Sequence, residues 1–474
     1  MNTVPRRSFA AIVLAVSLPM FMVALDNLVV TNALASIRRD LDVSLQGLQW
    51  ITNAYILGFA GMLLASAGLG DRFGRRRVFL IGIVAFTLTS IGCGLSGSAA
   101  SLIFFRALQG ISASAVMPIS LTLLTLAVAP QKRSAAIGIW SGISGLAVAV
   151  APLIGGAVTS GLGWHWIFLL NVPVGILAVP LVLRAVDESR GQAAPLDILG
   201  VLLASAAVLS LVWSIISVND RGWDSGWVIG GFMAAAAFFA LFVLWERRAA
   251  APLLPLALYR VRPFTLSNLV SLAIFFGMFG PIFLITQYLQ IVRGYSAWEA
   301  GLWTLPWTFM TMVVAPFAGR LTPRLGGGRL MAAGLFISAV GLAWFTAVLG
   351  TEQPAWYVVG PFLLAGGGMG LVFAPTAVVV MSSVPPQFAG KASGANTTVR
   401  EVGGALGIAV CASIFLAQGS YATAQTFING MRPGIWVGVV VLVLGALVAL
   451  AIPRLRFPAA PQPEAAPESA VAAK

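Results

Sequence analysis

The chain is dominated by long apolar stretches separated by short polar turns. A helix that crosses a bilayer needs roughly 20 mostly apolar residues, and fourteen stretches meet that length. The first six fall at about 9–36, 48–69, 78–97, 100–128, 134–159 and 166–184. Two more follow at about 197–217 and 226–245. The last six lie near 265–291, 298–319, 328–349, 354–381, 396–418 and 434–452. The expected fold is an all-α polytopic membrane protein with 14 spans. It divides into a six-helix bundle over 1–190, two additional spans over 191–250, a second six-helix bundle over 251–455 and a disordered cytoplasmic tail over 456–474. The tail is rich in Pro, Ala and Glu. Pro5-Arg6-Arg7-Ser8 imitates a twin-arginine export signal. The apolar run behind it is too long for a signal core and carries Asp26, so it reads as a span that is retained.

Composition agrees. Hydrophobic residues make up 59% of the 474 and charged residues 9%, too few to coat a water-facing surface. A soluble enzyme, a nucleic-acid-binding module and a disordered chain are excluded. Cys93 and Cys411 both sit in apolar runs, and His165 is the single histidine. No disulfide framework, metal site or cofactor is expected. No phosphate-binding loop of the ATPase type occurs, so any work the chain performs would have to draw on an ion or solute gradient.

The net charge of +13 follows topology. On this map 22 of the 28 Lys and Arg lie at the termini or in alternate turns on one face, and five lie on the other. The positive-inside rule then places both termini in the cytoplasm.

Two turns resemble one another. Leu69, Arg72, Gly74 and Arg77 recur as Leu321, Arg324, Gly326 and Arg329, a shift of 252 residues. Each turn follows the second span of a six-span set, so the two bundles are expected to be pseudo-symmetric, as in transporters with duplicated halves.

Asp26 reads as the one acid well inside a span, a little outward of the middle of the first. A charge at such depth costs at least about 2.5–3.5 kcal/mol. Burial favours the neutral acid, so this carboxyl is suited to loading and losing a proton. A structural, neutral Asp bonded to Asn or Thr is the alternative. Arg106 is the one basic residue placed inside the bilayer. It stays charged, so Asp26 is its natural partner by elimination; the alternative is snorkelling outward near Ser101. Arg400 and Glu401 read as a rim pair near the cytoplasm. Polar and aromatic groups within spans give the expected cargo contacts: Trp50, Asn53, Tyr55, Gln109, Gln287, Tyr288, Gln290, Trp303, Trp307 and Met310. Small residues run along the fifth span from Gly138 through Gly142 and Gly145 to Pro152, Gly155 and Gly156, and a similar face carries Gly403, Gly404 and Gly407.

Several motifs together carry a family resemblance. They are Leu25-Asp26-Asn27-Leu28-Val29-Val30-Thr31-Asn32-Ala33-Leu34 in the first span and Gly68-Leu69-Gly70-Asp71-Arg72-Phe73-Gly74-Arg75-Arg76 in the next turn. Arg106-Ala107-Leu108-Gln109-Gly110 and Ala151-Pro152-Leu153-Ile154-Gly155-Gly156 follow, then Trp164-His165-Trp166 leading to Asn171-Val172-Pro173 and Gly175. The chain resembles the major facilitator superfamily, in its fourteen-span drug:proton antiporter branch. Ala67 and Ala151 stand where that pattern has Gly, and His165 where it has Arg. The resemblance implies a multidrug efflux transporter of the cytoplasmic membrane, not an enzyme. It would exchange protons for lipophilic drugs or natural products, cationic ones among them; an endogenous lipid or metabolite is the alternative cargo. The single coupling acid read from the sequence favours neutral or monovalent cargo. The resemblance also implies a conformational latch at Asp71, Arg72, Gly74 and Arg75 and a gate at Pro152, Gly155 and Gly156. The partners expected are the small-molecule cargo, protons and the lipid bilayer, with no nucleic acid, and the protein is expected to be a monomer.

Overall fold

The computed structural model describes residues 8–43, 45–191, 197–249, 252, 254–351 and 353–454. The arginine motif at the start and the tail expected over 456–474 lie outside these. Among the described residues the chain is helical throughout, with no strand. The first helices are α1 (Phe9–Leu41), α2 (Leu45–Phe73), α3 (Arg75–Gly94), α4 (Ala99–Ala127), α5 (Arg133–Gly161), α6 (His165–Leu169) and α7 (Asn171–Ala185). Next come α8 (Ile198–Arg221) and α9 (Gly226–Glu246). The last are α10 (Arg262–Gln287), α11 (Ala297–Leu325), α12 (Gly327–Ala347), α13 (Val359–Ser382), α14 (Ala389–Gln418) and α15 (Ala424–Leu450). Eleven helical stretches among the described residues are long and apolar enough to cross a membrane. There are twelve if the two arms of α2, inclined by 49°, count as one.

Buried side chains gather into separate cores. One is drawn wholly from residues between Val270 and Ile452. Another runs from Ile12 to Val186 and borrows Ala377 and Val378 from α13. Outward faces are apolar too. Trp227, Met233 and Phe239 on α9, Phe104 on α4 and Leu447 on α15 are all exposed. Such faces need hydrocarbon as their solvent, and helices can enter it because their backbone bonds are satisfied internally.

The two related turns share a backbone conformation. Gly74 ends α2 with φ +110° and Gly326 ends α11 with φ +89°. In each case the next helix starts one residue later, at Arg75 and at Gly327. A left-handed φ is open to glycine and strained for other residues, which explains a glycine at both ends of the 252-residue shift.

Two helix starts differ from the sequence expectation by seven residues or more, and both matter. α15 starts ten residues before the expected 434, across Gln425, Asn429 and Arg432. α14 starts at Ala389 instead of 396. Lys391, Ser393, Asn396 and Thr397 make its first turns polar, and a hydropathy reading discards them. Ser393, Asn396 and Thr397 are buried against other helices, so the polarity faces protein. Arg400 and Glu401 consequently sit near the middle of the 30-residue α14. Eleven residues at 1.5 Å each put Arg400 roughly 16 Å along the helix. The expected rim pair is therefore embedded, and Asp26 is not the one acid well inside a span.

Candidate functional site

Four helices converge on Asp26, which is 2% exposed. Arg106 of α4 donates from Nη1 to Asp26 Oδ2 at 2.7 Å. Asn171, the first residue of α7, donates from Nδ2 to Asp26 Oδ1 at 2.7 Å. Gln109, one turn beyond Arg106, donates from Nε2 to the same oxygen at 3.1 Å. Its own Oε1 accepts from Arg106 Nη1 at 2.7 Å. Ser90 of α3 closes the group, its hydroxyl accepting from Gln109 at 2.7 Å and from Asn171 at 3.2 Å. Arg106 is also fully buried. Its Nε donates to the Ile51 carbonyl of α2 at 3.3 Å, and its guanidinium lies 4.2 Å from the centre of the Tyr55 ring. The charges cancel, and the donors and acceptors around them are nearly all used. Arg106 Nη2 is the exception, buried with no hydrogen-bond partner.

Local sequence explains the convergence. α2 and α4 cross with Gly58 against the Ala107 carbonyl and Gly110 against that of Tyr55, so a Cβ at either would collide with backbone. That close approach brings the Ile51 carbonyl and the Tyr55 ring within reach of Arg106. On the other side, Trp164 is fully buried and donates from Nε1 to Asp40 Oδ2 at 2.9 Å. This ties the end of α1 to the segment leading into α6 and α7, and Asn171 reaches Asp26 from there. Gly175, one turn on, packs against Thr87 of α3.

A second polar cluster lies at the α2–α3 turn. Arg75 Nε donates to Asp71 Oδ1 at 2.7 Å, and both residues are buried. The free Asp71 Oδ2 has no hydrogen-bond partner. The carboxylate rests against Gly390 in the first turn of α14, filling the space a Cβ there would need. A helix N-terminus carries partial positive charge, which suits an anion. Two more bonds cross from α4 to α14 nearby: Ser393 Oγ donates to the Pro118 carbonyl at 2.8 Å, and Thr122 Oγ1 to that of Ala389 at 3.5 Å. The first turn of α3 is capped by Glu188, whose carboxylate accepts from the Arg76 and Arg77 amides at 2.9 and 3.1 Å. Arg72, grouped with this cluster in the sequence, is exposed and lies over its own neighbour Phe73.

The small-residue face of α5 meets α11. Gly138 and Gly142 pack on Pro316 and the Met312 carbonyl, and Gly145 on Thr311. Residue 152 lies within α5; Gly155 is buried, and Gly156 faces Trp298. Gly403 and Gly407 pack on Leu272 and Phe276 of α10.

The expected cargo contacts scatter. Tyr55 and Gln109 belong to the Asp26 cluster. Tyr288 donates to the Gly350 carbonyl at 2.7 Å, and Trp307 packs edge-on against Phe362 inside the Val270–Ile452 core. Trp50 and Gln290 are exposed, and Gln287 accepts from the Tyr421 hydroxyl. Asn53, Trp303 and Met310 are half-buried. Among the described residues no three His, Cys, Asp or Glu come together to hold a metal ion.

Sequence reasoning did not single out Ser90, Glu188 or Gly390. Asn171 was quoted in the Trp164–Gly175 motif and was visible as a lone amide inside an apolar stretch, but it was given no role there.

The model of the Major Facilitator Superfamily matches residues 16–408. The tetracenomycin C resistance and export protein of Streptomyces glaucescens is 39% identical over 399 residues, 84% of this chain and 74% of that protein. The multidrug resistance protein Stp of Mycobacterium tuberculosis is 38% identical over 406 residues, 85% of this chain and 75% of that protein. Among solved structures, the proton:xylose symporter XylE shares the fold with a TM-score of 0.65, over 94% of this chain and 96% of that one at 15% identity. The chain therefore belongs to the Major Facilitator Superfamily, as a multi-pass membrane transporter whose relatives are antibiotic and multidrug resistance and export proteins rather than enzymes.

Proposed function

We propose that this protein is a proton-coupled exporter of lipophilic small molecules, working by alternating access in the cytoplasmic membrane. The observation that carries the reading is the buried Asp26–Arg106 pair, held across α1 and α4 and braced from α3 and α7. While the pair is closed, Arg106 stabilises the carboxylate and opposes its protonation. A shift of α1 against α4 lengthens the bond, the low-dielectric surroundings then favour the neutral acid, and a proton binds. Closing the pair on the other side of the cycle expels it. Helix motion and proton occupancy are thereby linked.

The remaining parts fit that cycle. Residues 1–190 and 251–455 act as the two moving six-helix bundles, with α8 and α9 between them in sequence. α5 and α11, at 29 residues each, exceed the length a span needs and bring the twelve to fourteen. The basic turns put the Asp71 end, and both termini, in the cytoplasm. Asp71 against α14 latches that end shut, with Gly74 and Arg75 shaping the turn, and the α5 segment at Pro152, Gly155 and Gly156 gates the other. Export of drug-like molecules is supported by the resistance and export functions named for the relatives.

The test is export from proteoliposomes under an imposed pH gradient, across a panel of lipophilic dyes, comparing the native chain with Asp26→Asn. The variant should lose gradient-driven export and keep gradient-free exchange of cargo. Undiminished proton-driven export by Asp26→Asn would remove this residue from the cycle.

A further inference from the structure

A second embedded charge, Arg400, is joined to no acid by a salt bridge among the described residues. Arg400 lines a narrow cleft between the two halves of the chain, with Ser141 of α5, Ser271 and Phe275 of α10, Phe373 of α13 and Asn396 of α14. Its guanidinium lies 4.4 Å from the centre of the Phe275 ring and 5.5 Å from that of Phe373, and these two rings stack on each other. Its Nε is enclosed and makes no hydrogen bond. The Ser141 hydroxyl, facing the same cleft, is buried and unpartnered as well. The Asn396 amide is already spent, donating to Asn268 at 3.0 Å and to Ser271 at 2.8 Å. None of the residues lining the cleft is acidic. Glu401, next in sequence, attracts Arg400 through its charge, but successive helical residues diverge by about 100° and, among the described residues, no salt bridge joins the two.

Arginine cannot shed its charge. Stacking on aromatic rings returns only part of what desolvating the ion costs. A free donor on a permanent cation, a free hydroxyl and an aromatic wall together form an incomplete site. We propose that this cleft, closed in this structure to about 10 Å³, room for one water, opens as the two halves part and then binds the acidic group of an aromatic, lipophilic cargo, a carboxylate or phenolate whose oxygen takes the donors of Arg400 and Ser141 while its ring system extends along Phe275 and Phe373. The proposal rests on the exporter reading and adds the cargo's charge. It moves the expectation from cationic drugs to weak organic acids.

The experiment uses the full chain in phosphatidylcholine nanodiscs with two fluorescent probes, 1-pyrenebutyrate and its methyl ester. Binding is read by energy transfer from tryptophan, and Trp140 lines the same cleft. A charge-assisted hydrogen bond lost on esterification should make the native chain prefer the acid by about ten-fold or more. That preference should collapse toward unity in Arg400→Gln, survive in part in Arg400→Lys, and fall by a smaller factor in Ser141→Ala, each variant first checked for a cooperative thermal transition. Equal binding of acid and ester by the native chain overturns the proposal, whether or not any variant folds. So does a folded Arg400→Gln that keeps the preference. Adding phosphatidylglycerol separates a lipid phosphate from a soluble acid. Unchanged acid binding supports the proposal, and its loss to the lipid overturns it. Proteoliposome export keeps the two readings apart. Failure of the native chain to move any lipophile under a pH gradient refutes the exporter, whereas export that ignores the acid refutes only the subsite.

Discussion

Asn171 donates to the oxygen of Asp26 that Arg106 leaves free, so the carboxylate is held from both sides, with Oδ1 facing α7 and Oδ2 facing α4. A carboxylate so held has a fixed direction, and its release requires α1 to part from two neighbours. Asn171→Ala leaves Gln109 as the sole remaining donor to Oδ1. A buried bond to a charged group is worth about 1.5–3 kcal/mol, so the variant should melt several degrees lower in detergent and lose much of its gradient-driven export. Ser90→Ala removes only an acceptor that two amides share, and should cost less on both counts. A native-like melt and export rate for Asn171→Ala would show that the amide is idle.

The Asp26–Arg106 pair was legible in the sequence because a charge in hydrocarbon must find an opposite charge, and few were on offer. Asn171 and Ser90 were harder to pick out because hydroxyls and amides are common in spans and cheap to satisfy there. Arg400 and Glu401 were misplaced for a different reason. The first turns of α14 bury Ser393, Asn396 and Thr397 against protein, and a scan for apolar residues reads such a face as loop. The 252-residue repeat was visible as spaced Leu, Arg and Gly. The backbone supplies the cause, a left-handed glycine between two helices in each copy.

Those two glycines should not tolerate alanine equally. With ψ of 125° and 131°, both lie outside the left-handed helical well, in a region that costs a residue with a Cβ of order 1–3 kcal/mol. At Gly326 the nearest atom to a new Cβ is the flexible Arg454 side chain at 3.4 Å, so strain is the whole cost. At Gly74 the Cβ would fall on the Glu188 carboxylate, 2.7 Å away, and would displace the cap of α3. Gly74→Ala should therefore lower the melting temperature more than Gly326→Ala, and Glu188→Gln combined with Gly74→Ala should be less than additive. Equal effects of the two alanines would detach Glu188 from the turn.

The crossing of α2 over α4 leaves no room for a methyl group at Gly110, where the Tyr55 carbonyl already occupies the space. Gly110→Ala must push the helices apart, at about 1–3 kcal/mol for an overpacked contact. It also draws the Ile51 carbonyl and the Tyr55 ring away from Arg106. The expected outcome is a lower melt together with impaired coupling, even though the substituted residue touches neither Asp26 nor Arg106. Thermal unfolding and proton-driven export on the same preparation would check it; a destabilised variant with full coupling would separate the crossing from the charge pair.

Asp71 against Gly390 supplies the last prediction. A carboxylate at a helix N-terminus is worth about 0.3–1 kcal/mol when exposed and up to about 2 kcal/mol when partly buried, so its removal should shift the balance between open and shut cytoplasmic ends by a few-fold to some thirty-fold. Asp71→Asn keeps the shape and removes the charge; Gly390→Val keeps the charge and wedges it away. Both should populate a longer distance between spin labels placed at Arg72→Cys and Gln387→Cys, two exposed positions on either side of the contact. Cys93 and Cys411 are buried and should stay unlabelled. The two variants act through different physics, one electrostatic and one steric. A common shift in the distance distribution would thus assign the latch to the contact itself. A shift with Gly390→Val alone would mean that packing holds this end shut and the charge serves only to pair with Arg75.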